Sequence, residues 1–155
     1  MKSYTLTCET LIDAPLDKVF EFFSSAENLE LLTPKTLQFK ILTPLPIKME
    51  AGTLIDYKLK IRGVPVRWKT EITVWEPGKR FVDTQLKGPY RKWVHEHRFQ
   101  AEGNQTRMWD SVEYALPGGP FAPIVHALFV RREVEQIFKH REMALRDSQS
   151  LGFHH

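Results

Sequence analysis

The chain has 155 residues, with 22 Lys and Arg against 19 Asp and Glu and a formal net charge of +3. Its length suits one domain, expected over residues 1–150 with a disordered tail at 151–155, and needs no structural metal or disulfide. The one cysteine, Cys8, excludes an intrachain disulfide, and no apolar run is long enough to span a bilayer, so we expect a cytoplasmic protein.

The first part of the chain predicts a strand followed by two short helices. Residues 2–12 alternate polar and apolar side chains, as a strand does. A helix is expected to begin near Pro15, with Asp13 as its N-cap. Its apolar face consists of Val19, Phe20, Phe22 and Phe23. Ala26–Leu32 predicts the second helix, which ends before Thr33-Pro34.

The middle of the chain predicts strands separated by turns. We place strands at 37–42, 53–61, 66–75 and 80–86, and two more within 88–114 around a Gly103-Asn104 turn. Gly63-Val64 suits a two-residue hairpin loop, and Pro77 and Gly78 suit a turn between the next two strands. Consecutive hairpins predict an antiparallel sheet of about six or seven strands.

From Phe121 the spacing of apolar residues becomes helical, and we expect the helix to continue to about Ser148. One stripe carries Val130, Val134, Ile137, Phe138, Arg141 and Leu145. A long helix with one apolar stripe must bury it against the sheet, which predicts an α+β fold. A curved sheet wrapped around that helix leaves a space where a ligand would bind.

The strand after Gly88-Pro89 carries two histidines and two aromatic residues on one face, because side chains alternate along a strand. A two-residue loop at Gly103-Asn104 predicts the pairs Trp93–Tyr114, His95–Val112, His97–Asp110 and Phe99–Met108. The other turns predict Leu59–Trp68, Tyr57–Thr70, Ile72–Asp83, Val74–Phe81, Thr70–Gln85, Asp83–His95 and Gln85–Trp93. These registers predict a polar patch of Asp83, Gln85, His95, His97 and Asp110 inside an apolar frame.

Three interpretations of this patch remain open. Cross-strand His–Asp pairs offset the cost of buried carboxylates, so the patch could be structural. It could instead orient a mostly apolar ligand, or form a catalytic site with His97 as general base and Asp110 as its orienting carboxylate. No third strong metal ligand is evident, so we predict no metal. The sequence contains no glycine-rich loop of the kind that binds phosphates, so we predict no cofactor.

Arg141 and the basic residues of one hairpin lie outside this patch. Arg141, on the helical stripe, could bind a ligand carboxylate or pair with a carboxylate of its own chain. Basic residues are predicted on the outer face of one hairpin: Lys58, Lys60, Arg62, Arg67 and Lys69. Aromatic residues do not interleave with them, so we expect no nucleic-acid partner. An exposed edge strand would allow a homodimer.

Nearly the whole chain resembles the START-like SRPBCC superfamily. The resemblance rests on the segments Ile12-Asp13-Ala14-Pro15, Lys18-Val19-Phe20, Trp75-Glu76-Pro77-Gly78-Lys79-Arg80-Phe81, Gly88-Pro89-Tyr90 and Leu116-Pro117-Gly118, and on Trp93, His95, His97, Phe99, Thr106, Asp110, Tyr114, Phe138 and Arg141. The bacterial ligand-binding, CoxG-like and polyketide-cyclase-like groups are the most similar. The resemblance implies a helix-grip fold but little about activity, because the superfamily hosts binders, cyclases and hydrolases.

We therefore predict non-covalent binding of a small hydrophobic or amphipathic molecule, lipid-like or polyketide-like, in an internal cavity. The alternative is a cyclase or dehydratase that uses His97 and Asp110, with Tyr114 or His95 stabilising an oxyanion. A third hypothesis is a protein-interaction module that uses the outer basic face. The predicted ligand-binding residues are Tyr57, Trp68, Asp83, Gln85, Trp93, His95, His97, Phe99, Asp110, Tyr114, Phe138 and Arg141.

Overall fold

A computed structural model describes residues 2–61, 63–117, 119, 126 and 130–146. The helices are α1 (Leu16–Phe23), two 3₁₀ helices (Ala26–Leu32 and Lys35–Leu37) and α2 (Arg131–Arg146). The strands are β1 (Ser3–Ile12), β2 (Lys40–Ile41), β3 (Leu54–Ile61), β4 (Val64–Glu76), β5 (Arg80–Lys87), β6 (Lys92–Glu102) and β7 (Gln105–Ala115).

The seven strands form one antiparallel sheet in the order β1-β7-β6-β5-β4-β3-β2. The curved sheet packs around α2, with α1 and the 3₁₀ helices between β1 and β2. The predicted α+β helix-grip fold is therefore confirmed. Strands β1 and β2 are the two edges of this sheet.

The helix α2 buries the stripe that the sequence predicts. Val134, Phe138, Arg141 and Leu145 are all buried. Phe138 packs with Trp93 and the aromatic residues beside it, whereas Leu145 packs with the phenylalanines of α1. The predicted helical residues 121–125, 127–129 and 147–148, and the tail at 151–155, lie outside the described residues. Among the described residues, no helix combines the length and apolarity needed to cross a bilayer.

The start of α1 differs from the prediction. Pro15, not Asp13, is the N-cap, with an extended backbone at φ −69 and ψ 154. Its carbonyl accepts hydrogen bonds from the N–H groups of Lys18 and Val19, which begins the helical pattern. The apolar face of α1 is buried as predicted.

The hairpin of β6 and β7 confirms every predicted pair, and Glu102 pairs with Gln105 across the Gly103-Asn104 loop. Gly103 has a φ of 61, a left-handed conformation that glycine adopts without steric cost.

The register of β3 and β4 was predicted two residues away from its actual position. Tyr57 pairs with Trp68, and Ile61 pairs with Val64, so Val64 begins a strand instead of completing the loop. Gly63, with a φ of 79, takes the left-handed position immediately before it. A slip of two residues preserves the faces of both strands, so Trp68 still points inward.

The hairpin of β4 and β5 contains a bulge. The predicted pairs Ile72–Asp83 and Thr70–Gln85 are confirmed, but Trp75 pairs with Phe81 where Val74 was expected. The register shifts between Ile72 and Val74, so one extra residue on β4 compensates for a turn one residue longer than predicted.

The pairing of β5 with β6 confirms Asp83–His95 and ends at Thr84–Val94, one position before the predicted pair Gln85–Trp93. The Gln85 amide instead donates to the Tyr90 carbonyl, and its oxygen accepts from the Tyr90 N–H. Gln85 therefore closes the connection between the strands. A Cβ at Gly88 would collide with this side chain, which explains the glycine there.

Two further expectations concern the outer parts of the sheet. The strand predicted at 37–42 shrinks to Lys40–Ile41, because Lys35–Leu37 is a 3₁₀ helix and Gln38 follows it with a left-handed φ of 49. On the outer face of β3 and β4, Lys58, Lys60 and Arg67 are exposed as predicted. Arg62 lies outside the described residues.

Candidate functional site

A cavity of about 150 Å³ lies between the sheet, the first 3₁₀ helix and α2. Most of its lining is apolar or aromatic, with Tyr57, Trp68 and Trp93 on the sheet and Phe138 on α2. Tyr57 and Trp68 are cross-strand neighbours whose rings stack 5.8 Å apart. Asp83, His95, His97 and Arg141 form a polar part of the wall.

Five side chains from four elements form what we call the polar cluster: Asp83 (β5), His95 and His97 (β6), Asp110 (β7) and Arg141 (α2). His95 Nε2 lies 2.7 Å from Asp110 Oδ1, and His97 Nε2 lies 2.5 Å from Asp83 Oδ2. Arg141 Nε donates to Asp110 Oδ2 at 3.3 Å, and its Nη2 lies 2.9 Å from His97 Nδ1. The two imidazoles stack with centroids 3.7 Å apart.

The His–Asp hydrogen bonds of this cluster are diagonal. In the backbone ladders, His95 stands opposite Asp83 and His97 opposite Asp110. The short contacts nevertheless join His95 to Asp110 and His97 to Asp83. Diagonal neighbours in a sheet are within reach of long side chains, so imidazoles can exchange partners in this way.

The contacts of Arg141 determine the tautomer of His97. A guanidinium only donates hydrogen bonds, so Nδ1 of His97 accepts from it and Nε2 carries the proton that is donated to Asp83. In the neutral form of His95, Nε2 donates to Asp110 and Nδ1 keeps its lone pair. His95 Nδ1 lies 3.8 Å from Asp83 Oδ2, beyond hydrogen-bond distance.

The cluster holds both carboxylates ionised. Burial opposes the charge of Asp110, but Arg141 and the two histidines outweigh it and hold the pKa of this carboxyl well below its usual range. Burial also opposes the charge of Asp83, yet the histidines and Arg141 lower its pKa. Burial, together with neighbouring His97, lowers the pKa of His95 and favours its neutral form.

Eight of the predicted ligand-binding residues line the cavity: Tyr57, Trp68, Asp83, Trp93, His95, His97, Phe138 and Arg141. Four do not. Gln85 binds the Tyr90 backbone, and Phe99 packs in the core beneath α1. Asp110 lies behind the histidines, and the Tyr114 hydroxyl lies 2.7 Å from His126 Nε2. Alternation along a strand predicts a shared face, but which positions of that face border the cavity depends on the helices that cover it.

The two histidines differ in which ring nitrogens already have hydrogen-bond partners. His97 Nδ1 lies 3.3 Å from Asp110, but both ring nitrogens of His97 already have partners. His95 has the closer contact with Asp110 and a ring nitrogen without a hydrogen bond among the described residues. A proton acceptor oriented by Asp110 would therefore be His95.

Sequence reasoning missed several cavity residues, among them strand and loop residues such as Ile55, Thr70 and Tyr90 and two further groups. The first comes from the 3₁₀ region, including Leu29, Leu32 and Leu37, whose irregular conformation leaves no periodic signal. The second is Glu133 of α2. It stands two helical turns before Arg141, so helical spacing could have found it.

Three residues of the polar cluster lie close enough together to be considered as metal ligands. Asp83, His95 and His97 each offer one ligand atom, all within 4.8 Å of one another. However, Nε2 of His97 carries a proton as long as Arg141 donates to Nδ1. In this arrangement Asp83 and His95 present two unprotonated ligand atoms, fewer than the three that a catalytic zinc site takes from protein.

The fold is the helix-grip fold of the START-like SRPBCC superfamily. The chain belongs to the family described as polyketide cyclase/dehydrase and lipid transport, which matches residues 12–141. Its sequence matches none of the curated proteins compared with it.

Several solved structures share the fold at low identity. TTHA0849 from Thermus thermophilus is 20% identical, with a TM-score of 0.70 over 92% of this chain and 97% of that one. The Zhui aromatase/cyclase from Streptomyces sp. R1128 is 15% identical, with a TM-score of 0.68 over 97% and 99%. Norcoclaurine synthase from Thalictrum flavum, a point mutant with a transition-state analogue, is 14% identical, with a TM-score of 0.67 over 96% and 97%.

Proposed function

We propose that the chain binds a small hydrophobic or amphipathic molecule non-covalently in the cavity between the sheet and α2. The observation that carries this proposal is an interior space, bordered by aromatic residues, that the described side chains leave open. Burying apolar ligand surface there supplies about 25 cal/mol per Å² before the costs of ordering. The family description, which includes lipid transport, supports the same kind of activity.

The cavity volume sets the size of the ligand. A cavity of about 150 Å³ with an apolar lining can hold a benzene-sized molecule. A single-ring compound therefore fits without rearrangement. A longer lipid-like or polyketide-like molecule would have to displace side chains of the lining.

Trp68, one of the residues that line the cavity, has an unsatisfied hydrogen-bond donor. Nε1 of Trp68 is buried and has no hydrogen-bond partner among the described residues. An unsatisfied buried donor costs about 1–3 kcal/mol. A ligand oxygen that accepts this N–H would recover part of that cost.

Benzyl alcohol, titrated into isotope-labelled protein and followed by NMR, tests the proposal. Leu59→Trp should abolish saturable shifts, because Leu59 is buried and lines the cavity. The matched control is Leu54→Trp on the opposite face of β3, where Leu54 is 44% exposed, and it should bind like the wild type. Equal binding by both variants, or no binding by the wild-type protein, would contradict the proposal.

The geometry of His95 favours a second candidate, an enzyme of cyclase or dehydratase type. With Asp110 behind Nε2, the lone pair on Nδ1 could take a proton from a bound ketone. We expect such an enzyme to exchange the benzylic hydrogens of phenylacetone for deuterium in D₂O faster than buffer does. His95→Gln should remove this acceleration, and acceleration that survives the substitution would exclude His95 as the base.

A further inference from the structure

The polar cluster contains a gap between two hydrogen-bond acceptors. His95 Nδ1 and Asp83 Oδ2 are 3.8 Å apart, too far for a direct hydrogen bond. A single donor placed between them could reach both atoms at normal hydrogen-bond distance. Both residues line the cavity, and the Asp83 side chain, at 20% exposed, is more open than that of His95 at 8%.

Asp83 places a negative charge at this gap and has no direct contact with a lysine or arginine among the described residues. Arg141 donates to Asp110, so that pair of opposite charges is satisfied. Asp83 is left with imidazole partners, and His97 approaches it as a neutral donor. Arg141 is the only lysine or arginine among the described residues that line the cavity. Two ionised carboxylates thus share one guanidinium in the cluster, and a positively charged ligand group at this end of the cavity would give Asp83 a direct cationic partner.

The rest of the wall suits an organic cation. Tyr57, Trp68, Tyr90 and Trp93 border the cavity, with Trp68 in ring contact with each of the other three. Aromatic faces attract ammonium groups and pack against apolar rings. A metal ion gains nothing from such a wall, and the His97 tautomer leaves only two unprotonated ligand atoms for it.

We infer that the cavity receives a small aromatic amine in its protonated form, with the ammonium group between His95 Nδ1 and the carboxylate of Asp83. This inference rests on the proposed binding function and adds the chemical class of the ligand. The ammonium donates to both acceptors and gives Asp83 a direct cationic partner, while the ring occupies the aromatic part of the cavity. Asp83 and His95 are thus the residues that set specificity.

Four single-ring compounds of similar size separate the contributions of the ring, the hydrogen-bonding group and the charge to affinity: toluene, benzyl alcohol, benzylamine and benzoate. Titration calorimetry at pH 7 should show benzylamine binding at least about tenfold more tightly than benzyl alcohol, with benzoate weakest. Asp83→Asn, which keeps an acceptor for His97, should bring the affinity ratio of benzylamine to benzyl alcohol down to about one. The control, Glu71→Gln, removes one negative charge from the neighbouring strand β4 and should keep the preference for the amine.

The outcomes separate this inference from the function on which it rests. Benzyl alcohol and benzylamine binding equally well to the wild-type protein would overturn the inference and leave cavity binding intact. Failure of all four compounds to bind would overturn both. Stoichiometric binding of Zn²⁺ that is lost in Asp83→Asn and that blocks benzylamine would replace the amine with a metal ion.

Discussion

Asp110 connects both parts of the polar cluster, because it accepts hydrogen bonds from His95 of β6 and from Arg141 of α2. It is buried, as are both of these partners. The cluster therefore ties α2 to the sheet through the buried ion pair of Asp110 and Arg141.

Removing the charge of Asp110 should destabilise the fold. Asp110→Asn leaves the buried guanidinium of Arg141 without a counter-charge, for which we expect a loss of about 3–5 kcal/mol in unfolding free energy. Glu113→Gln is the control on the same strand, since Glu113 forms an exposed ion pair with Lys92 and should cost less than about 1 kcal/mol. Urea unfolding measures both, and equal losses would contradict the role given to Asp110.

The neutral state of His95 predicts that the unfolding free energy depends on pH. Its pKa is lowered in the folded protein, so below a pH of about 6.5 the unfolded chain binds a proton that the folded chain does not. The unfolding free energy should fall as the pH decreases from about 7 to 5. The lowered pKa of Asp110 continues the loss at still lower pH.

The His95→Gln variant isolates this contribution. Urea unfolding at several pH values should give a shallower dependence than the wild type between pH about 7 and 5, because one proton-linked group has been removed. An unchanged slope would mean that the pKa of His95 is the same in the folded and the unfolded protein.

Strand alternation correctly predicted which side chains of the cluster share a face, but not which histidine bonds to which aspartate. Direct neighbours were expected to pair, and the hydrogen bonds are diagonal instead. The side-chain rotamers decide between these options. They depend on the contact with Arg141, which belongs to a helix far along the chain. No sequence spacing encodes that contact.

At the scale of elements, hairpin registers were predictable where the loop was tight. The Gly103-Asn104 loop gave every pair correctly, whereas the Pro77-Gly78 turn gave some pairs and missed a compensating bulge. A bulge depends on local twist and leaves no composition signal in β4. The two-residue slip at Gly63 kept the faces, so Tyr57 and Trp68 still line the cavity.

The anchoring of α2 gives a prediction at this scale. Leu145 is fully buried among Ile12, Phe23 and Met108, so Leu145→Ala should cost about 2–5 kcal/mol through lost contacts and a residual cavity. Met143 is 63% exposed on the same turn, and Met143→Ala should change stability by less than about 0.5 kcal/mol. Thermal unfolding compares them, and similar melting temperatures would mean that the end of α2 is not anchored by this contact.

At the scale of the molecule, the fold class followed from the order of strand, short helices, hairpins and long helix, which allows few ways to bury one apolar stripe. The size of the cavity did not follow. It depends on the distance between α2 and the sheet, which is set by side chains from α1, the 3₁₀ helices and the strands together. The homodimer stays a prediction, with β1 as the longer of the two edge strands.

The proposed binding function depends on an open interior that admits a guest molecule, and a crystal structure of the protein soaked with benzyl alcohol tests this most directly. We predict density for one molecule between the sheet and α2, in contact with Leu59, Trp68 and Phe138. An interior filled by the protein's own side chains, with benzyl alcohol absent or bound only at the outer surface, would contradict that function.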